Sequence, residues 1–434
     1  MSSSMIGLLA FAALFGLIAI RVPIAIAMGM VGAIGGLAIN GFDSVAFIMG
    51  SIPFESIFPY SLSVIPLFIL MGVFSAKAGL SRALYDAAHA FIGHYKGGLA
   101  MATIGACAAF GAICGSSLAT AATMCRVAMP EMRRRNYDDG LASATIAAGG
   151  TLGVLIPPSV IMVIYAILTE QSIGRLFAAA LIPGLLATVL YMVAIRIKTA
   201  RNPEQGPADE RVNWPERIVA MLNVWPVMFL FGVVIGGIYA GWFSPTEAAA
   251  IGAIGAFLLA LFKRKLNVKT FLDCLGETAN TTGMIFLILI GTAVFNYFVE
   301  TTGLPQSLVS HVGELGWDPY VILILLIFFY IVLGCFMDAL SMILLTLPFI
   351  YPLITSLGFD PIWFGVIMVS VVEVGLITPP VGMNLFIIMA GTPGLKLQTI
   401  SRGVVSFLCA DVARLALLIL FPALSLWLPA LLMD

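Results

Sequence analysis

The sequence predicts an all-α polytopic membrane protein built on an inverted-topology repeat, with two re-entrant helical hairpins and two helices broken at Pro-Pro steps. Three observations predict it: an apolar composition cut into span-length segments, a charge pattern that reverses between the halves, and one motif repeated at a constant offset. Of 434 residues, 61% are hydrophobic and 10% charged, and the mean hydropathy is +1.08. A soluble domain carries about 25% charged residues, so a chain this poor in charge would have too little polar surface to stay dissolved. Apolar segments recur at 5–20, 24–39, 61–76, 98–130, 141–169, 176–197, 219–241, 246–262, 272–298, 319–354, 362–392 and 403–432. A helix needs about 20 such residues to cross the hydrocarbon core, where backbone polar groups must pair internally. The ~10-residue alternation of barrel strands is missing.

The first segment has no basic stretch ahead of it and no small-residue cleavage pattern behind it, so 1–20 is expected to be a membrane segment rather than a removed signal. Net charge is −1, which offers no basic surface to nucleic acid. The six cysteines lie mostly inside apolar runs without CxxC spacing, which points to neither a disulfide framework nor a zinc site. His89, His94 and His311 fall in connecting segments and form no ligand cluster.

Lys and Arg favour cytoplasmic loops. Lys263, Arg264, Lys265 and Lys269 place 263–270 on the cytoplasmic side. Counting spans, the Pro-containing hydrophilic linker 199–217 is also cytoplasmic, and the acidic loop 300–318 is periplasmic. The segment 98–130 has Lys77, Arg82 and Lys96 before it and Arg133, Arg134 and Arg135 after it, so both its ends are cytoplasmic. The segment 319–354 has no Lys or Arg close to either end, so both its ends are periplasmic. Each is some 30 residues long, short of the ~40 that two full spans need. Each therefore reads as a hairpin entering from one face, with tips at 115–117 and 334–338.

The repeat agrees. Asn136-Tyr137-Asp138 and Gly153-x-x-x-Pro157-Pro158 in the first half match Gly358-Phe359-Asp360 and Gly375-x-x-x-Pro379-Pro380 in the second. Asp138 and Asp360, Gly153 and Gly375, and Pro157 and Pro379 are each separated by 222 residues. Equal motifs on opposite charge backgrounds mark an inverted repeat. The division expected is 1–97, N-terminal scaffold helices; 98–197, a first transport unit (hairpin 98–130, broken helix 141–169); 198–318, linker and further scaffold helices; and 319–434, a second transport unit (hairpin 319–354, broken helix 362–392) with the C-terminal helices.

Chemistry concentrates at these breaks. Two consecutive prolines cannot continue a helix; a single one would mean only a kink. The unwound carbonyls they leave at membrane depth are tolerated where they line a cavity or hold an ion. The tip Gly115-Ser116-Ser117-Leu118-Ala119-Thr120 is small and polar, and its hydroxyls and carbonyls are hard oxygen donors that suit Na⁺; close helix packing is the alternative use of such residues. Asp338 is an acid in an apolar run, where ionisable groups are costly and usually functional. Glu373 reads equally as a ligand or as a structural partner. Asp411 and Arg414 read as an ion-paired or snorkelling segment end, and so do Glu55 and Glu247. Arg126 reads as a packing or snorkelled residue, with contact to a substrate carboxylate as the alternative. No HExxH, GxSxG or Walker A pattern is present, so neither an organic cofactor nor direct ATP drive is expected.

The strings Gly115-Ser116-Ser117-Leu118-Ala119-Thr120, Met129-Pro130-Glu131-Met132, 149–159, 358–365 and 373–386 resemble the large membrane subunit of TRAP (tripartite ATP-independent periplasmic) transporters, the DctM-like and SiaM-like family, over essentially the whole chain. The resemblance implies Na⁺-driven import of an organic acid such as a C4-dicarboxylate or sialic acid, an elevator motion, and residence in the bacterial inner membrane. It implies a small four-helix DctQ-like partner, here a separate one, and a DctP-like periplasmic binding protein. By motif it implies one Na⁺ among Ser116, Ser117, Gly153, Ile156 and Pro158. A second would lie among Gly334, Asp338, Gly375, Thr378 and Pro380, with substrate near Ser116, Thr120, Thr378 and Asn384. Three other readings compete with it: a stand-alone divalent-anion symporter of related build, an intramembrane enzyme, and a channel. The enzyme needs an acid–base pair or metal ligands that the scattered histidines do not supply. Matched inverted sites suit alternating access better than a pore.

Overall fold

Helix ends fall where proline, glycine and short hydroxyl residues put them. Asp138 and Ser159 accept hydrogen bonds from the N–H groups of Leu141 and Met162 and so start Asp139–Leu155 and Val160–Leu168. The broken helix between them stops at Ile156, whose backbone is extended. The computed structural model describes residues 3–433, whose regular elements are all helices, without strands. Among the described residues nine helices are long and apolar enough to cross a membrane, and several shorter apolar helices accompany them. The chain is an integral membrane protein.

The sequence-derived segments survive with four changes. Segment 24–39 continues to Glu55 across a bend at Gly41, whose φ of 79° interrupts the helix. Segment 403–432 is two helices, Leu397–Leu420 and Ala423–Met433. Two helices lie in stretches read as connections, Leu80–Ile92 and Leu304–Glu314. Both are too polar to register as spans. Leu80–Ile92 buries Leu80, Leu84 and Tyr85 on one side and carries Arg82, Asp86 and His89 elsewhere on its surface.

The chain forms two compact units, each drawn from separate stretches of sequence. The first comprises Met1–Ser63, Ala279–Leu326 and Leu340–Pro361. Small residues let its helices approach closely, as membrane helices require: Gly32 backs onto the main chain at Phe295, and Gly29 faces Gly291. Phe11 stands edge-on to Phe295 and Phe349, with centroids 5.3 and 4.9 Å away. The second unit comprises Val64–Thr278, Ile327–Ala339 and Ile362–Asp434. In it Asp139–Leu155 packs against Gly98–Cys114, Ser117–Arg134 and Leu397–Leu420, and every residue of that helix after Asp139 is buried.

The hydrophilic linker is tied down. Its backbone bonds to the base of the first hairpin, Gly97 N–H to Gly206 O (2.9 Å) and Asp138 N–H to Gln205 O (3.0 Å). Asp209 meets Arg135 at 2.6 Å and His89 at 2.8 Å. Burial works to raise the Asp209 pKa, but the Glu210 N–H, the His89 ring and the Arg135 guanidinium outweigh it and hold the carboxyl below the usual aspartate range. A carboxyl depressed in the folded state contributes stability that is full above its unfolded pKa, about 3.9, and lost as pH falls through the folded value. Protection of the 203–210 amides against hydrogen exchange, taken relative to their intrinsic rates at each pH, is therefore predicted to fall as pH drops below about 4. Asp209→Asn should exchange faster already at neutral pH; an unchanged D209N would show that the ion pairs do not hold the linker.

Candidate ion and substrate site

The first hairpin turns in two residues. Cys114 ends the arm Gly98–Cys114, Gly115 takes a φ of 64° that side-chain-bearing residues avoid, and Ser116 caps Ser117–Arg134 by accepting the Ala119 N–H. The tip lies against the first helix break. A Cβ built on Gly153 would stand 2.6 Å from Thr120 Oγ1, 2.9 Å from Ser116 O and 3.3 Å from Gly111 Cα, and one built on Gly115 would stand 3.0 Å from Pro158 O. Three oxygens, Ser116 O, Thr120 Oγ1 and Pro158 O, thus line the meeting of tip and break, and only glycine fits at 153. Thr120 is fully buried, and its hydroxyl lies beside the Cys114 thiol that ends the first arm. All four break residues, Ile156 to Ser159, are buried.

The second half repeats the arrangement. Pro361–Ile377 ends at Thr378, and Met383–Gly391 resumes after Gly382. Gly375 faces Gly334, whose Cα would be 2.7 Å from a Cβ at 375, just as Gly153 faces Gly111. The Gly382 N–H donates to Cys335 O at 3.2 Å, joining break to tip. Thr378 Oγ1 donates to Val374 O at 2.6 Å, which leaves its lone pairs free to accept. Asp338 is half-buried and directly precedes Ala339–Ser356, as Ser116 precedes its helix 222 residues earlier. This break is more open than the first: Thr378 and Pro379 are half-buried and Pro380 is exposed. Both Pro-Pro bonds are cis.

The site residues read from sequence therefore separate into three groups. Ser116, Gly153 and Pro158 converge, joined by Gly115 and Thr120, with Ile156 beside them in the same unwound stretch. Gly334, Gly375 and Thr378 meet at the second break, with Pro380 and Asp338 in its turns. Ser117 and Asn384 pair with each other: Asn384 Nδ2 donates to Ser117 Oγ at 2.9 Å and to Ala147 O at 3.0 Å. Asn384 thereby spends both amide hydrogens joining the halves. Arg126 is exposed and donates to Ala122 O on its own helix.

Sequence reading placed Asp411 and Arg414 near a segment end, and this is corrected: they lie mid-helix in Leu397–Leu420, 1% and 0% exposed. Snorkelling is excluded, and the ion pair is real. Arg414 bridges Asp411 at 3.1 Å and Glu373 at 3.2 Å, and Tyr191 Oη donates to Asp411 at 2.8 Å. An acid and an arginine three residues apart in an apolar run was the available signal. Tyr191 gave none, because nothing distinguishes one tyrosine in an apolar helix from a packing residue.

A bundle of membrane helices with two matched breaks, each backed by a hairpin tip, is the build of a secondary transporter. Residues 11–424 match the model of the tripartite ATP-independent periplasmic transporter, DctM component. The chain belongs to that family and is the large permease subunit of a TRAP transporter. It is 38% identical over 377 residues to the C4-dicarboxylate TRAP transporter large permease protein of Pseudomonas aeruginosa, covering 87% of this chain and 88% of that one. It is 34% identical to the sialic acid TRAP transporter large permease protein of Vibrio cholerae, covering 82% of each. Among solved structures it resembles the Alcanivorax borkumensis YdaH transporter in fold, with a TM-score of 0.65 at 16% identity over 89% of this chain and 90% of that one.

Proposed function

We propose that this subunit imports an organic acid together with Na⁺ across a bacterial inner membrane, fed by a periplasmic binding protein and paired with a small membrane subunit. The observation that carries the reading is the meeting of tip and break, where Ser116 O and the buried Thr120 Oγ1 crowd Gly153 and Pro158 O stands against Gly115. Hard oxygens at this density suit Na⁺, and the first ion is assigned to Ser116, Gly153, Ile156 and Pro158, with Ser117 behind them. The second is assigned to Gly334, Asp338, Gly375, Thr378 and Pro380, where Asp338 brings negative charge. Helices starting at Ser117, Val160 and Met383 aim N-terminal N–H groups at the breaks, where their dipoles favour a substrate carboxylate. Ser116, Thr120 and Thr378 offer it hydroxyls, and Asn384 holds the two sides together.

In this reading the hairpins are re-entrant, the repeat is inverted in the membrane, and hairpins and broken helices move as one block against the remaining helices. Na⁺ binding shields the substrate carboxylate and lets the loaded block cross. The substrate class is an organic acid of the C4-dicarboxylate or sialic acid kind, as the names of the two relatives indicate for those proteins. The test is uptake into proteoliposomes holding both membrane subunits, with the cognate binding protein outside. Replacing Na⁺ by choline is predicted to abolish uptake; undiminished uptake would remove the coupling. Co-purification of a small helical subunit separates this reading from a stand-alone symporter.

A further inference from the structure

One buried chain of polar groups links the two broken helices, and the transport chemistry above does not use it. Thr151 Oγ1 lies 3.4 Å from Tyr191 Oη. Tyr191 Oη donates to Asp411 Oδ1 and Oδ2 at 2.8 and 2.9 Å. Arg414 reaches Asp411 Oδ1 at 3.1 Å and Glu373 Oε2 at 3.2 Å, and donates to Ser370 O at 3.3 Å. All five side chains are at most 1% exposed. The two ends of the chain, Thr151 and Glu373, are 222 residues apart, the offset of the internal repeat, and each lies two residues before its close-approach glycine, Gly153 or Gly375. The carbonyl anchors obey the same offset, since Thr151 Oγ1 donates to Ala148 O at 2.7 Å and Arg414 to Ser370 O.

A buried ion cluster is weak evidence for stability, because well-packed apolar residues of the same volume often do as well or better. What ions and hydrogen bonds supply that oil cannot is direction: each bond is satisfied in one relative placement of its helices. We propose that Tyr191, Asp411 and Arg414 are positioning residues, a strut that sets the break at 156–159 and the break at 378–382 in one mutual register. A displacement at the second break then reaches Tyr191 through ion pairs and a hydrogen bond, and passes to the first break through the Tyr191–Thr151 contact. The inference takes from the proposed function only the pairing of the two breaks as halves of one site.

The test is hydrogen exchange on the full chain in lipid nanodiscs, a readout that needs neither Na⁺ nor substrate. Tyr191→Phe keeps the ring in its edge-on contact with Phe407, 5.5 Å between centroids, and removes only the hydroxyl. Exchange in 375–382, which Tyr191 does not touch, is expected to rise about tenfold, the scale of a local-opening change, and 151–158 should rise with it. Thr188→Ala, which deletes a hydroxyl on the same helix bonded only to Gly184 O, should leave both segments unchanged. If Y191F does not fold, Asp411→Asn cuts the strut at its middle, where the partners are Tyr191 and Arg414, and both segments are read again. A rise confined to the mutated end, or an equal rise in T188A, overturns the proposal. Uptake assays add a separate reading: loss of Na⁺ dependence in the wild type would sink the coupling and leave the exchange result standing.

Discussion

On the proposed function, Gly153→Ala is expected to lower uptake by about 100-fold, the upper scale for disturbing the surroundings of a bound metal ion, while the protein still inserts and folds. The reason is geometric. The new methyl group stands 2.6 Å from Thr120 Oγ1, 2.9 Å from Ser116 O and 3.3 Å from Gly111 Cα, between the tip and the break. Thr120 can rotate away, but Ser116 O and Gly111 Cα are main chain and move only if the tip separates from the break. Gly375→Ala makes the same demand on the second half, where Gly334 Cα stands 2.7 Å away. Uptake in proteoliposomes and Na⁺-dependent thermal stabilisation are the two measurements. A G153A variant that transports and binds Na⁺ like the wild type would show that the ion lies elsewhere.

Arg414→Met carries the second large effect, this time on stability. The guanidinium is the cation paired with two buried carboxylates, Asp411 and Glu373, and its removal leaves charge in a site that water does not reach. Breaking a buried pair from one side costs about 3–5 kcal/mol. Removing the charges together costs far less, so R414M combined with E373Q and D411N should recover most of the unfolding midpoint. Thermal unfolding of the wild type, R414M and the triple variant in one detergent separates the outcomes. Should R414M unfold at the wild-type temperature, the cluster holds no uncompensated charge and the strut loses its basis. The triple variant is also informative for transport: removing the charges restores the fold, but not the register that the ion pairs impose.

The helix breaks were legible because their cause is covalent. Pro157-Pro158 and Pro379-Pro380 lack the N–H that a helix interior needs, and the helices end at Leu155 and Ile377, within two residues of them. The first hairpin tip was legible for a related reason, since Gly115 and Ser116 together form a stop and a cap. Leu80–Ile92 escaped because an amphipathic helix lying against a bundle has no run of apolar residues to mark it. What anchors the linker 199–217 was not legible, because the partners that hold it, Gly93, Gly97 and Arg135, lie more than 60 residues earlier in the chain.

The sequence by itself determined the membrane class, the repeat, the places where helices break and the family, all of which rest on local composition, spacing and motif. Only the tertiary structure decided which oxygens meet at Gly153, that Ser117 turns to Asn384, and that Tyr191, Asp411 and Arg414 bridge the halves. Those outcomes depend on which faces of distant helices are brought into contact. Helix periodicity sets which residues share a face, but it is silent about the partner that face will meet.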